Sequence, residues 1–250
     1  MPDGCREACS PGDLPAKFHS LMTTFLTILK GFAWLLPPRI RKNDRLQQAG
    51  TRLLLQFGAL DAVYSPRYYQ TMVEPYARRS VGPIAHSIVD SFHPGSAVDL
   101  GCGTGALLVE LRKCGVRNSL GLDCSDAALD IARARGLDTR KFDITTDKLL
   151  YSPCYDVAVS METAEHLPET IVDTYIALLC SLAPTTIFSA APPGQKGIGH
   201  LNEQPQEYWA EKFESYNQHL DKELVRKWQA DWVAAGVANF YTRNLMIFHR

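Results

Sequence analysis

Apolar residues follow two different rhythms along this chain. In the amino-terminal third they recur at three- and four-residue steps: Phe18, Leu21, Met22, Phe25, Leu29, Phe32 and Leu36 share one face, with Ser20, Thr23, Thr24, Thr27 and Lys30 on the other. That spacing predicts an amphipathic helix. Pro37-Pro38 ends it, and Arg39, Arg41, Lys42 and Arg45 follow. Three roles are open to such a helix: packing on the main domain or a second subunit, a lid over an apolar substrate, or a helix lying on a membrane surface. Its apolar run is too short to span a bilayer. Thr51 to Val63 predicts a second helix, and Ile84, Ala85, Ile88, Val89 and Phe92 a third, stopped by Pro94-Gly95.

From residue 96 the rhythm changes to short apolar runs, each followed by a helical pattern. Ala97, Val98 and Leu100 read as a buried strand, which breaks at Gly101-Cys102-Gly103-Thr104-Gly105 and enters a helix at Ala106. Further strands are predicted at Ser119–Leu122, Thr139–Phe142, Tyr155–Met161, Thr185–Ala190 and Asn244–Phe248. The intervening helices end at Gly115, Gly136 and Leu182. Alternating strands and helices imply a parallel α/β sheet, whose ligand loops lie at the carboxyl ends of the strands. Glycine at every second position lets the backbone adopt positive φ and approach a ligand closely. The spacing is G-x-G-x-G rather than G-x-G-x-x-G, and Asp99 precedes the first glycine by two positions. A carboxylate there suits an amine or hydroxyl better than a phosphate.

This stretch resembles motif I of the class I S-adenosylmethionine-dependent methyltransferases, and the likeness covers Tyr64 to Arg250 on both sides of it. The Y-D-V…M-E-x-x-E-H-L run from Tyr155 to Leu167 resembles the segment after strand four in ubiquinone-type and natural-product enzymes. The run from His200 to Phe213 resembles a subset of bacterial small-molecule enzymes. The resemblance implies a Rossmann-like, seven-stranded, mainly parallel sheet with helices on both faces and an N-terminal helical cap. A cap is expected over 19–80 and the main domain over 81–250, while residues 1–18, whose Asp3, Glu7 and Asp13 do not make a basic signal-peptide segment, are expected to be a disordered leader. It also implies S-adenosyl-L-methionine as cofactor and S-adenosyl-L-homocysteine as product, bound by Asp99, Gly101, Cys102, Gly103, Gly105, Asp123, Cys124, Asp143, Ile144, Met161 and Tyr69.

The residues themselves support parts of that set. Asp123 lies 18 positions after Gly105 at a strand end, where a carboxylate can hold two ribose hydroxyls. That is the favoured role; the alternative is an acid that only starts the following helix, for which Ser125 is the N-cap. Asp143 suits an adenine amine or simply a turn. Glu162, Glu165 and His166 fall at the productive edge, and Asp156 at the opposite one. His166 has the pKa range of a general base, with Glu162 and His200 as further candidates. Glu165 and His166 can instead cap the next helix. His200 with Glu203 supplies only two potential metal ligands, so no metal site is assigned. Arg67, Tyr68, Glu165, Tyr208 and Trp209 are the candidate substrate contacts.

Composition narrows the class further. The 250 residues carry a net charge of −1, which gives no footprint for nucleic acid, and the seven scattered cysteines fit a reduced, cytoplasmic chain. The expected activity is O- or N-methylation of a small, secondary-metabolite-like acceptor, apolar ones included. C-methylation of a polyketide or prenyl diphosphate is the alternative. The diphosphate would need Mg2+ and a basic patch, for which Arg67, Arg78 and Arg79 are candidates. An oxidoreductase that binds a nicotinamide cofactor is less favoured, and a non-catalytic cofactor-binding fold less still. The expected partner is a small molecule rather than nucleic acid, with peripheral membrane contact and a homodimer through the N-terminal helices left open.

Overall fold

Seven strands run through the middle of the computed structural model, which describes residues 63–147 and 155–250. The helices expected at 18–36 and 51–63, and the leader before them, fall outside the described residues but for Val63. Tyr64 begins the compact unit described here. Two short helical turns, Pro66–Tyr68 and Tyr69–Val73, lead into α1 (Glu74–Phe92), which starts with Pro75 in its first turn. This helix runs unbroken across positions 80 and 81, where the sequence placed the start of the main domain. His93 in the left-handed conformation ends it, just before Pro94.

Strand and helix then alternate: β1 (Ser96–Leu100), α2 (Ala106–Lys113), β2 (Asn118–Asp123), α3 (Asp126–Ala134), β3 (Thr139–Lys141), β4 (Val157–Met161), α4 (Val172–Leu182) and β5 (Thr185–Ser189). After α5 (Gln206–Glu214) come β6 (His219–Leu220), α6 (Lys222–Ala234), α7 (Asn239–Asn244) and β7 (Leu245–His249). The sheet order is β3-β2-β1-β4-β5-β7-β6. β1 to β5 are parallel, whereas β7 runs antiparallel to β5 and β6 antiparallel to β7. The fold is therefore Rossmann-like, seven-stranded and mainly parallel.

Side chains alternate between two cores, as the period of a strand requires. Val98, Ala158, Phe188, Met246 and Phe248 point to α4 and α5. Ala97, Val157, Ile187, Leu245 and Ile247 point to α1, α2, α3 and α6. Both faces being covered explains why these strands read as continuous apolar runs. The first core is aromatic: Phe213 stacks on Phe248 at 3.9 Å, and Phe188 packs against Trp209, Phe213 and Phe248. Trp209 is fully buried there. Its expected role as a substrate contact is therefore corrected: it lies on the inner face of α5 because that helix must bury an apolar stripe against β5 and β7.

Replacing the central ring, Phe188→Ala, is expected to lower unfolding stability by about 3–5 kcal/mol. Urea denaturation followed by circular dichroism checks this, with little change in spectrum at zero urea.

Candidate active site

The chain reverses direction across the sheet between β1 and β4, and there a doubly wound sheet leaves a crevice at its carboxyl edge. The loop after β1 forms one wall and the turn after β4 the other. Gly101, Gly103 and Gly105 all have positive φ. A Cβ on Gly101 would collide with the Thr163 side chain, and one on Gly105 with Leu137. Packing alone requires those two. A Cβ on Gly103 would approach nothing nearer than the Tyr69 ring at 4.0 Å, so its bare backbone faces the crevice.

Asp123 ties the loop to the end of β2. Its Oδ2 accepts from the Gly103 N–H (2.8 Å) and its Oδ1 from the Ser125 N–H (2.9 Å). Ser125 in turn caps α3 by accepting from Ala128. Asp123 thus performs the helix-start role, with each oxygen keeping a second lone pair. Asp143 spends Oδ1 on the backbone and hydroxyl of Thr145, the turn role. Burial pushes the Cys124 thiol up to about 12, with Asp123 and Asp143 adding to it, so the thiol stays neutral. Cys102 is buried and Ile144 packs against the aromatic core. Asp156, at the opposite edge, accepts from Gly95 and Ser96 and is structural.

The turn after β4 is the more unusual wall. Glu162 is a non-glycine residue at φ 52°, a conformation that costs energy and clusters at functional sites. Its N–H donates to the Ser189 carbonyl (2.9 Å) at the end of β5. Its carboxylate accepts from Asn244 Nδ2 (3.0 Å) and Gln195 Nε2 (3.1 Å). Three residues on, the Glu165 carbonyl accepts from the N–H groups of Leu201 (2.7 Å) and Asn202 (3.0 Å). Those two bonds dock the long loop after β5 onto this turn and bring His200 beside His166, ring centroids 4.9 Å apart. Glu203 accepts from Gly194 N, Lys196 N and His200 Nδ1, so one carboxylate fixes the loop and orients the imidazole. The Tyr64 hydroxyl bonds His166 Nδ1 at 3.1 Å, and Tyr64, Tyr68 and Tyr69 form an edge-to-face row.

Electrostatics follow from this burial. Asp99, only 5% exposed, is pushed up to about 7 by burial and then by Asp123. Asp123 and Glu162 are raised mainly by burial, and Glu165 well above the usual carboxylate range by burial and the Glu162 charge. Of the last two, Glu165 keeps its proton more firmly, because Glu162 has amide donors. Burial, with His200 beside it, brings His166 down to about 4. Burial therefore leaves His166 a weaker proton acceptor than an exposed imidazole. Glu203 is held below its usual range: burial raises it, but the His200, Gly194 and Lys196 donors outweigh that.

Some candidates do not join this edge. Arg78 pairs with Glu74 (3.7 Å) and Arg79 lies over the Tyr76 ring (5.0 Å), both on α1, while Arg67 is exposed. They form no basic patch against the four acids. Tyr208 lies under the Lys212 ammonium, which pairs with Asp173 of α4. Three contributors were not anticipated: Gln195, Asn244, and Tyr241, whose hydroxyl is raised by burial and then by Glu162 and Asp99. The last two sit on α7. β7 is antiparallel, so its beginning pairs Leu245 with Ser189 at the crevice edge. No local pattern in the sequence marked α7 as part of the site.

The cradle fits a cationic nucleoside. Gly103 offers bare backbone, Tyr69 an aromatic wall, and the buried acids negative charge. A diphosphate would meet Asp99 and Asp123 with no basic partner among the crevice residues named here, which argues against a nicotinamide dinucleotide.

Comparison with known proteins agrees. Residues 97–184 match a family model described as a methyltransferase domain. No curated protein matches the chain. Among solved structures, CalS10 with bound S-adenosylmethionine, an amino pentose methyltransferase from Micromonospora echinaspora, shares 16% identity over 71% of this chain and 95% of its own, with a TM-score of 0.54. A methyltransferase from Clostridium acetobutylicum shares 12% over 73% and 96%, with a TM-score of 0.52. Magnesium protoporphyrin IX methyltransferase from Synechocystis, with bound S-adenosylhomocysteine, shares 15% over 92% and 97%, with a TM-score of 0.50. Among the described residues no helix is long and apolar enough to cross a membrane.

Asp99 generates a pH test of the site. Its folded pKa, near 7, is raised above that of an unfolded aspartate, so its contribution to stability is lost as pH rises from about 4 through 7. Asp99→Asn is expected to shrink the fall in unfolding free energy between pH 5 and pH 8 by roughly 2 kcal/mol, read from urea titrations at each pH. The residues in hand and the comparisons lead in one direction: residues 97–184 match a methyltransferase domain, and the sheet around them has the fold of S-adenosylmethionine-dependent methyltransferases.

Proposed function

We propose that the chain methylates a hydroxyl or amine of a small molecule held between the turn after β4 and the loop after β5. The observation that carries this reading is Glu162: a buried carboxylate with a raised pKa, at a strained position of the switch-point crevice, beside the glycine loop. When bound, S-adenosylmethionine supplies an electrophilic methyl group on a sulfonium. Asp123 would hold the ribose with its remaining lone pairs, and Asp99 the methionine ammonium. Gly103 would allow close backbone approach, with the Tyr69 ring covering it. Glu162 would take the proton of the acceptor's hydroxyl or amine as the methyl group passes to it. Positive charge vanishes in this step, so alignment and exclusion of water contribute most. Tyr64, Tyr68 and Tyr241 supply that apolar enclosure.

Calorimetric titration with S-adenosylhomocysteine tests the cofactor half. Micromolar binding is expected, and Asp123→Asn is expected to weaken it about 10- to 100-fold, since an amide oxygen replaces only one of two acceptors. Binding should also tighten as pH rises from 6 to 8, because a protonated Asp99 cannot pair with an ammonium, and Asp99→Asn should flatten that rise. A folded chain that binds no S-adenosylhomocysteine at any of these pH values would overturn the reading. Labelled methyl transfer to a panel of hydroxyl- and amine-bearing acceptors, with Glu162→Gln lowering turnover at least 100-fold, tests the acceptor half.

A further inference from the structure

Glu165 is left with a problem that methyl transfer does not solve. It is fully buried, no side chain donates to its carboxylate oxygens, and the backbone N–H groups of Glu165 and Ala191 approach them without closing a well-formed hydrogen bond. Buried polar groups are otherwise satisfied, so an orphaned pair of carboxylate oxygens points to a ligand. Two imidazoles converge on it. Glu165, His166 and His200 each offer one ligand atom, all within 4.8 Å of one another. One nitrogen of each ring is already held by a side chain, and the Gly199 backbone also bonds the His166 ring. His200 Nδ1 bonds Glu203 at 2.7 Å, and Glu203 is anchored by the Gly194 and Lys196 N–H groups. His166 Nδ1 bonds the Tyr64 hydroxyl at 3.1 Å. A carboxylate or hydroxyl behind each imidazole is the outer support that metal-binding histidines use. Gly197 completes the arrangement, because a Cβ there would overlap the His200 ring.

We propose that Glu165, His166 and His200 bind one divalent transition-metal ion, zinc being the best match, and that an open coordination position takes the acceptor's oxygen. The second clause rests on the methyl-transfer reading and the first does not. Two nitrogens and one oxygen suit Zn2+ or Fe2+, whereas Mg2+ and Ca2+ take oxygen ligands. Ligand atoms around a tetrahedral zinc lie about 3.4 Å apart, so the widest pair has to close by about 1.4 Å, within reach of small side-chain rotations. Three protein ligands leave a position open, and an acceptor hydroxyl there would lose its proton more readily. Glu162, which is not among the ligands, remains placed to receive that proton.

The test uses the full chain, stripped with a chelator and dialysed. Co2+ is titrated in while the visible d–d bands are followed, and Zn2+ is then added to displace it. One Co2+ per chain is expected, with intensified bands, displaced by one Zn2+. His200→Ala and Glu165→Gln are each expected to weaken Co2+ more than about 100-fold, and the milder Glu203→Gln about 10-fold. Circular dichroism and S-adenosylhomocysteine titration on the same samples keep folding separate from metal uptake. No Co2+ uptake by the folded wild-type chain overturns the proposal, and so does uptake that all three variants leave unchanged. If the wild-type chain then binds S-adenosylhomocysteine, only the metal site falls. If it binds neither, the methyl-transfer reading falls as well.

Discussion

Four carboxylates buried at one edge of the sheet set the terms for the rest of this molecule. Asp99, Asp123, Glu162 and Glu165 come from the ends of β1, β2 and β4, and burial raises every one of them. Charge in low dielectric is tolerated when it is hydrogen-bonded, neutralised or paired. The chain answers differently at each. Asp123 takes two backbone N–H donors, Glu162 takes two side-chain amides, Asp99 rises to about 7, and Glu165 takes no side-chain donor. Several basic residues of the same unit are engaged elsewhere, although Arg243 donates to Gln195 beside Glu162. Arg135, for instance, pairs with Glu74 at 2.8 Å and donates to Thr104. Such an edge is poised for positive charge from outside the chain.

Holding that edge open requires departures from regular backbone. Gly101 and Gly105 are needed because Thr163 and Leu137 leave no room for a side chain, so the cofactor loop and the turn after β4 are packed as one unit. Glu162 is strained, and its N–H is caught by the Ser189 carbonyl. The loop after β5 has few apolar residues to bury and is fixed instead by backbone donors to Glu165 and Glu203. Strain and polar burial at the edge are offset by the two apolar cores beneath it, where Phe188, Phe213, Phe248, Trp228 and Trp232 are fully buried.

Local pattern was enough to read most elements. β1, β2, β4, β5 and β7 fell within a residue or two of their apolar runs, because a doubly covered sheet needs continuous apolar strands, whereas the edge strand β3 is polar. The caps at Ser125, Gly115 and Gly136 were legible for the same local reason: their side-chain or φ requirements act within one turn. The two-residue β6 and the short α7 gave no such signal. A pair of residues has no period, and α7 is held by its position before β7. Trp209 shows the limit of residue type as evidence. Its face of α5 is set by what the helix packs on, and that is the aromatic core.

The sequence by itself determined the alternation of strands and helices, the glycine loop with its flanking acids, and the placing of Glu162, Glu165 and His166 after a strand. These depend on neighbours a few residues apart. Only the tertiary structure decided that His200 meets His166 and that Glu165 is left without a side-chain donor. Only it placed Tyr241 and Asn244, from the far end of the chain, against Glu162. Those pairings span 34 to 82 positions and follow from two facts that no local pattern encodes. One is that β7 runs antiparallel to β5, which brings its start to the crevice. The other is that the loop after β5 folds back to donate two backbone bonds to Glu165.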